Sequence, residues 1–163
     1  MSPLARFLDP FHLSLKVCGV TRTADADMLV ALGVDAVGVN FWPGSKRYVA
    51  PEAATWLVPL AGKILRVGVF VNAPADLPLQ LVRDGLIDVV QLHGDESPAD
   101  AAFLRQNDIP YIKAIGVKSP ADLAAAHQFG ASAILLDAHA PGIYGGTGRT
   151  MDWHTAAAFR AAH

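Results

Sequence analysis

The chain repeats one kind of unit along most of its length: a short run of consecutive apolar, often β-branched residues, followed by a stretch with helical patterning. The runs are "LKVCGV" (15–20), "DAVGVNF" (35–41), "LRVGVFV" (65–71), "DVVQLHG" (88–94), "YIKAIGV" (111–117) and "AILLDA" (133–138). Apolar residues occupy consecutive positions in these runs, which is the mark of strands buried on both faces of a parallel sheet. Between them lie patterns such as "TADADMLVALG", "APEAATWLVPLAG", "SPADAAFLRQN" and "SPADLAAAHQFG", with "DWHTAAAFRAA" after the last. Several open with Ser or Thr ahead of Pro, Ala and acidic residues, the chemistry of a helix N-cap and first turn. Several close on a glycine, as at Gly33, Gly62, Gly85 and Gly130, where a left-handed cap is easily adopted.

Six β-α units in succession imply an α/β fold with right-handed crossovers. Two architectures satisfy that rule, a doubly wound open sheet and a (β/α)8 barrel. No strand leads directly into GxGxxG, and "GGTGRT" follows its strand only after a loop, which weakens the dinucleotide-binding option. Cys18, Asn40, Gln91, His93 and Asp137 all fall at or near the C-terminal ends of different strands. In a barrel those ends converge on one mouth, so the barrel is the favoured fold. Residues 1–14, broken by Pro3, Asp9 and Pro10, read as an N-terminal arm, and 15–163 as a single (βα)6 portion of a barrel. Six strands do not close what eight close. The outer edges of the first and sixth would need cover, from two further βα units or from a second copy of the chain.

The totals narrow the class. With 163 residues, 52% of them hydrophobic and 17% charged, the chain can bury a real core. A formal charge of -2 gives no electrostatic drive toward nucleic acid or an anionic membrane. One cysteine cannot form an internal disulfide, which fits a cytoplasmic protein, and no stretch approaches a membrane span. No H-x-x-x-H, C-x-x-C or carboxylate cluster is present, so no metal is expected.

Cys18 ends its strand beside Gly19, with Lys16 on the same side of the strand. A thiol there can be a small buried hydrophobe, or a base where positive charge is near. Asp137 closes "ILLD" as a loop cap, or as an acid whose proton affinity an apolar setting raises. Gln91 and His93 share one strand face and would line the mouth. Arg47, in the loop "NFWPGSKRYV", offers a planar fork that suits a carboxylate. Gly145 and Gly146 belong to a loop, "YGGTGRTMDW", of the kind that closes over a substrate or presents amides to phosphate.

Taken in order, "KVCGVT", "GVDAVGVNF", "SKRYV", "RVGVFVN", "VVQLHGDE", "IKAIGV", "ILLD" and "GGTGRTMDW" closely resemble the phosphoribosylanthranilate isomerase family of tryptophan biosynthesis, from about Leu15 to Trp153. The resemblance implies a TIM barrel that carries out a cofactor-free Amadori rearrangement on a small phosphosugar substrate, N-(5-phosphoribosyl)anthranilate. It implies Asp137 as general acid, Cys18 as general base, Arg47 on the anthranilate carboxylate, and His93 in the pocket wall. It also implies two further units after the "DW" helix, whose "GGL"-type and "SSG"-type loops hold the phosphate. Neither motif follows in this sequence, so the chain alone is expected to be a poor catalyst. The competing readings are an inactive barrel fragment serving as a binding or assembly module, and a metal-dependent phosphosugar epimerase.

Overall fold

The computed structural model describes residues 1–117, 119–124, 126–138 and 152–162. Six strands, β1 (Lys16–Cys18), β2 (Ala36–Asn40), β3 (Leu65–Phe70), β4 (Val89–Leu92), β5 (Tyr111–Val117) and β6 (Ala133–Ala138), form one sheet in the order of the chain. Every neighbouring pair is parallel. That unreversed order is the barrel's and differs from a doubly wound sheet, which places later strands on both sides of the first. The sheet is strongly curled, because side chains of its first and last strands, Cys18 and Asp137, line one cavity.

The connections are α2 (Thr23–Ala31), α3 (Asp76–Arg83), α4 (Ala102–Gln106) and α5 (Trp153–Ala162), with 3-10 segments at Pro51–Leu60, Pro120–Leu123 and Ala126–Phe129. Two stretches patterned like α-helices are therefore wound more tightly. Pro59 lies inside the first and supplies no amide hydrogen to an α-helical ladder. Ser119 caps the Pro120 segment through a reciprocal box with Asp122, whereas α2 begins without a side-chain cap. All four closing glycines, Gly33, Gly62, Gly85 and Gly130, have positive φ as their cap positions require.

Burial divides the sheet into two faces. Val37, Val39, Phe70, Val90 and Leu92 point outward into the main core with Leu57, Leu60 and Leu104 of the surrounding segments. Ala36, Leu65, Val67, Val89 and Ile112 point inward, and Leu4 and Phe7 pack against them. These two belong to the N-terminal arm, where Pro3–Phe7 forms a short helix, α1, that meets the sheet. The arm is tied down at Asp35, whose Oδ1 lies 2.7 Å from Arg6 Nε and 3.0 Å from His12 Nε2. Its Oδ2 accepts the Leu15 amide at 2.8 Å. That backbone bond, with the His12 and Arg6 contacts, holds the Asp35 carboxyl below the usual carboxylate range.

Above this layer a buried ionic brace fixes the loops at the C-terminal ends of β3 and β4. Lys113 Nζ donates to Glu96 Oε2 at 2.8 Å and to the Gly94 carbonyl at 2.7 Å. Glu96 also accepts the amides of Gly94 and Asn72, at 2.9 and 2.8 Å. A Cβ on Gly94 would collide with the Asn72 side chain, so glycine is required there. Both charged side chains are under 10% exposed, at 5% for Lys113 and 8% for Glu96. Glu96→Gln keeps the shape but leaves the Lys113 ammonium without its counter-charge, and should destabilise the fold by about 3 kcal/mol. Urea unfolding measures this, and a loss below roughly 1 kcal/mol would show that the brace is dispensable.

Candidate active site

The inward positions at the C-terminal ends of the strands enclose a cavity of about 290 Å³ lined by Lys16, Cys18, Asn40, Arg47, Val69, Val71, Gln91, His93, Leu135, Leu136 and Asp137. The period of two within each strand puts Lys16 with Cys18, and Gln91 with His93, on this one face. Parallel register then brings residues far apart in sequence to the same level. Cys18 stands beside Gly38, and Gly116 beside Asp137.

Cys18 is exposed to the cavity, so its thiol is open to a ligand. It shares the space above Gly38 with Lys16: a Cβ on Gly38 would lie 2.9 Å from Cys18 Sγ and 3.0 Å from Lys16 Nζ. Only glycine at 38 leaves room for both groups. The next residue, Gly19, has a φ of 84°, and a Cβ there would collide with the Arg47 guanidinium. Arg47 folds back over β1 and donates from Nη1 to the Cys18 carbonyl at 2.8 Å. This contact turns its planar end toward the cavity.

In the same cavity His93 Nε2 lies 3.0 Å from Asp137 Oδ2, and Gln91 Nε2 lies 2.8 Å from His93 Nδ1. The Asp137 side chain is 34% exposed. Of the two sequence readings of Asp137, a loop cap or an acid raised by an apolar setting, the direction of the second is corrected here: its carboxyl is held below the usual range. The His93 hydrogen bond is the main cause and outweighs the opposing effect of burial; His93 when protonated, and the Ala138 amide, act in the same direction.

Of the residues singled out from sequence, Cys18, Arg47, Gln91, His93 and Asp137 thus meet in one cavity. Gly145 and Gly146 lie outside the described residues. Sequence patterns did not point to the Glu96–Lys113 brace beside the β4 end, although a lysine inside the apolar run "YIKAIGV" was a visible signal. Among the described residues, no cluster of three or more His, Cys, Asp or Glu side chains is placed to hold a metal ion, and no helix is long and apolar enough to cross a membrane.

A singly wound parallel sheet with a thiol, a carboxyl and an imidazole at the C-terminal ends of its strands has the layout of a barrel enzyme. The family model described as N-(5'-phosphoribosyl)anthranilate isomerase matches residues 15–163. The chain is 42% identical over 145 residues to the N-(5'-phosphoribosyl)anthranilate isomerase of Nitrosomonas europaea, covering 87% of this chain and 67% of that protein. The crystal structure of the Thermotoga maritima phosphoribosyl anthranilate isomerase superposes with a TM-score of 0.80 at 37% identity, over 91% of this chain and 72% of the other. A further isomerase structure, in complex with reduced 1-(o-carboxyphenylamino)-1-deoxyribulose 5-phosphate, matches at 38% identity and a TM-score of 0.71, over 78% of this chain and 66% of that one. The chain belongs to the N-(5'-phosphoribosyl)anthranilate isomerase family.

Proposed function

We propose that this chain converts N-(5-phosphoribosyl)anthranilate into 1-(2-carboxyphenylamino)-1-deoxyribulose 5-phosphate, with Asp137 as acid and Cys18 as base. The observation that carries the reading is the cavity itself, whose lining brings together a thiol, a carboxyl and a guanidinium. Asp137 gives a proton to the ribose ring oxygen as the bond from that oxygen to C1 breaks. The nitrogen lone pair forms the C1–N double bond of an iminium. Cys18, as thiolate, takes the proton from C2, and the C–H electrons make an enolamine while neutralising the nitrogen. Transfer of a proton to C1 and loss of one from the enol oxygen yield the ketone. Atoms and electrons balance within the substrate, so the reaction consumes no co-reactant. An acid and a base in one cavity favour this reading over a binding module, which has no use for them.

Arg47 is the carboxylate anchor in this scheme. Its fork is already oriented by the Cys18 carbonyl, which leaves guanidinium hydrogens for the anthranilate group. Removing them with Arg47→Met should cost about 2 kcal/mol of binding, roughly a thirtyfold rise in KM, with kcat changed far less. Equal losses in both constants would place Arg47 in the chemical step instead.

The direct test is product formation by the 163-residue chain, alone and mixed with a relative's fragment supplying two further βα units. Turnover in either setting that requires both Asp137 and Cys18 supports the reading. Its absence in both overturns it.

A further inference from the structure

Gln91 is a cavity residue that the acid, base and carboxylate roles leave unexplained. It sits on the inner face of β4 between Val69 and Ile112 of the flanking strands and is 1% exposed. Its amide nitrogen meets His93 Nδ1 at 2.8 Å, while its oxygen Oε1 is buried with no hydrogen-bond partner among the described residues. An amide enclosed this way is placed to act on the imidazole.

The chain of three groups admits few proton arrangements. An ionised Asp137 only accepts, so His93 must present a hydrogen on Nε2. In the neutral ring Nδ1 then carries a lone pair and needs a donor, which the Gln91 amide supplies. Turning that amide around would face its oxygen to Nδ1 and draw the ring hydrogen there. The Nε2 lone pair would then oppose the Asp137 carboxylate, and the amide's NH₂ would be the buried end lacking a partner.

We propose that Gln91 is a positioning residue for the isomerase reaction: its side-chain amide fixes His93 as the Nε2–H tautomer, so that His93 donates to Asp137. This rests on Asp137 being the acid. The donated hydrogen bond stabilises the carboxylate that Asp137 becomes as its proton passes to the ring oxygen, an interaction that strengthens toward the transition state. Other ionisable or charged groups facing His93 across the cavity are Lys16 and Cys18 from β1 and Arg47 from the loop after β2, and none of the three is hydrogen-bonded to the ring. On the loop after β4 the Glu96 carboxylate is taken up by Lys113.

The test is nitrogen-15 NMR of the histidine rings in the ligand-free chain at neutral pH, with His93 assigned by its loss in His93→Gln. The expected result is hydrogen on Nε2 and a bare Nδ1 in the parent. In Gln91→Leu, where Asp137 alone favours hydrogen on Nε2, a reduced but still predominant share of that tautomer is expected. In Gln91→Glu a reversed or doubly protonated ring is expected, because the new carboxylate draws a hydrogen to Nδ1. In the assay that shows turnover, kcat should fall about tenfold or more in Gln91→Glu, and less in Gln91→Leu, with KM within roughly threefold for both. Hydrogen on Nδ1 in the parent, or an unchanged ring in Gln91→Glu, overturns the proposal. The parent spectrum alone decides the tautomer if a variant fails to fold. Loss of the Asp137 role would show separately, as full turnover in Asp137→Asn with the His93 spectrum unaltered in the parent.

Discussion

Asp137→Asn should lower kcat by about 10²- to 10⁴-fold and leave KM within roughly threefold, the range that general acid catalysis contributes. Asparagine has nearly the same shape, and its amide oxygen can still accept the His93 hydrogen, so the cavity wall stays in place. What it lacks is a proton to give. Steady-state kinetics beside a far-ultraviolet dichroism spectrum separate lost chemistry from lost fold, and a decrease below tenfold would sink the acid role. The pH dependence adds a sharper signature. In the free protein His93 holds the Asp137 carboxyl below the usual range, so the acid form disappears as pH rises through a low value. Bound substrate brings its own carboxylate and phosphate and displaces water, and both effects disfavour a neighbouring carboxylate. Asp137 should therefore titrate higher in the complex. The falling limb it contributes to kcat is expected at higher pH than the limb it contributes to kcat/KM, and Asp137→Asn should abolish both.

The strands and their order were legible because burial on both faces leaves a simple trace, a run of β-branched residues with no polar alternation. Each predicted run contains an observed strand, from Lys16–Cys18 to Ala133–Ala138, though four of the six lose residues at their ends to loop geometry. The site was legible for a topological reason. In a parallel barrel every strand ends on the same side, so polar residues at strand ends must meet, and Cys18, His93 and Asp137 do. What depended on distant partners was not legible. His93 lies 44 residues before Asp137 in sequence, and its hydrogen bond reverses the direction in which burial alone would move the carboxyl. Arg47 reaches the Cys18 carbonyl across 29 residues, which no local pattern records. The tight 3-10 winding of Pro51–Leu60 escaped because its apolar spacing resembles an α-helix, while Pro59 decides the outcome.

Cys18 separates a catalytic thiol from a packing residue more cleanly than any other position. A buried cysteine filling space would tolerate serine poorly and alanine with a cavity cost, while activity followed stability. Cys18 is exposed, so Cys18→Ala should change the unfolding free energy by no more than about 0.5 kcal/mol. Turnover should nevertheless fall by roughly 10²- to 10⁴-fold, because nothing remains to take the C2 proton. Cys18→Ser is the stricter comparison. It restores a polar atom in nearly the same place, but a hydroxyl is a far weaker acid than a thiol and its conjugate base is scarce at neutral pH. Serine should therefore rescue little of the activity. If serine restored more than about a tenth of the parent rate, a hydrogen bond from residue 18 would account for the site better than proton abstraction. Alkylation supplies the remaining control: iodoacetamide should inactivate the parent, and a bound product analogue should slow that inactivation. Cys18, Arg47 and Asp137 line one cavity, so a ligand that engages the guanidinium and the carboxyl must also cover the thiol.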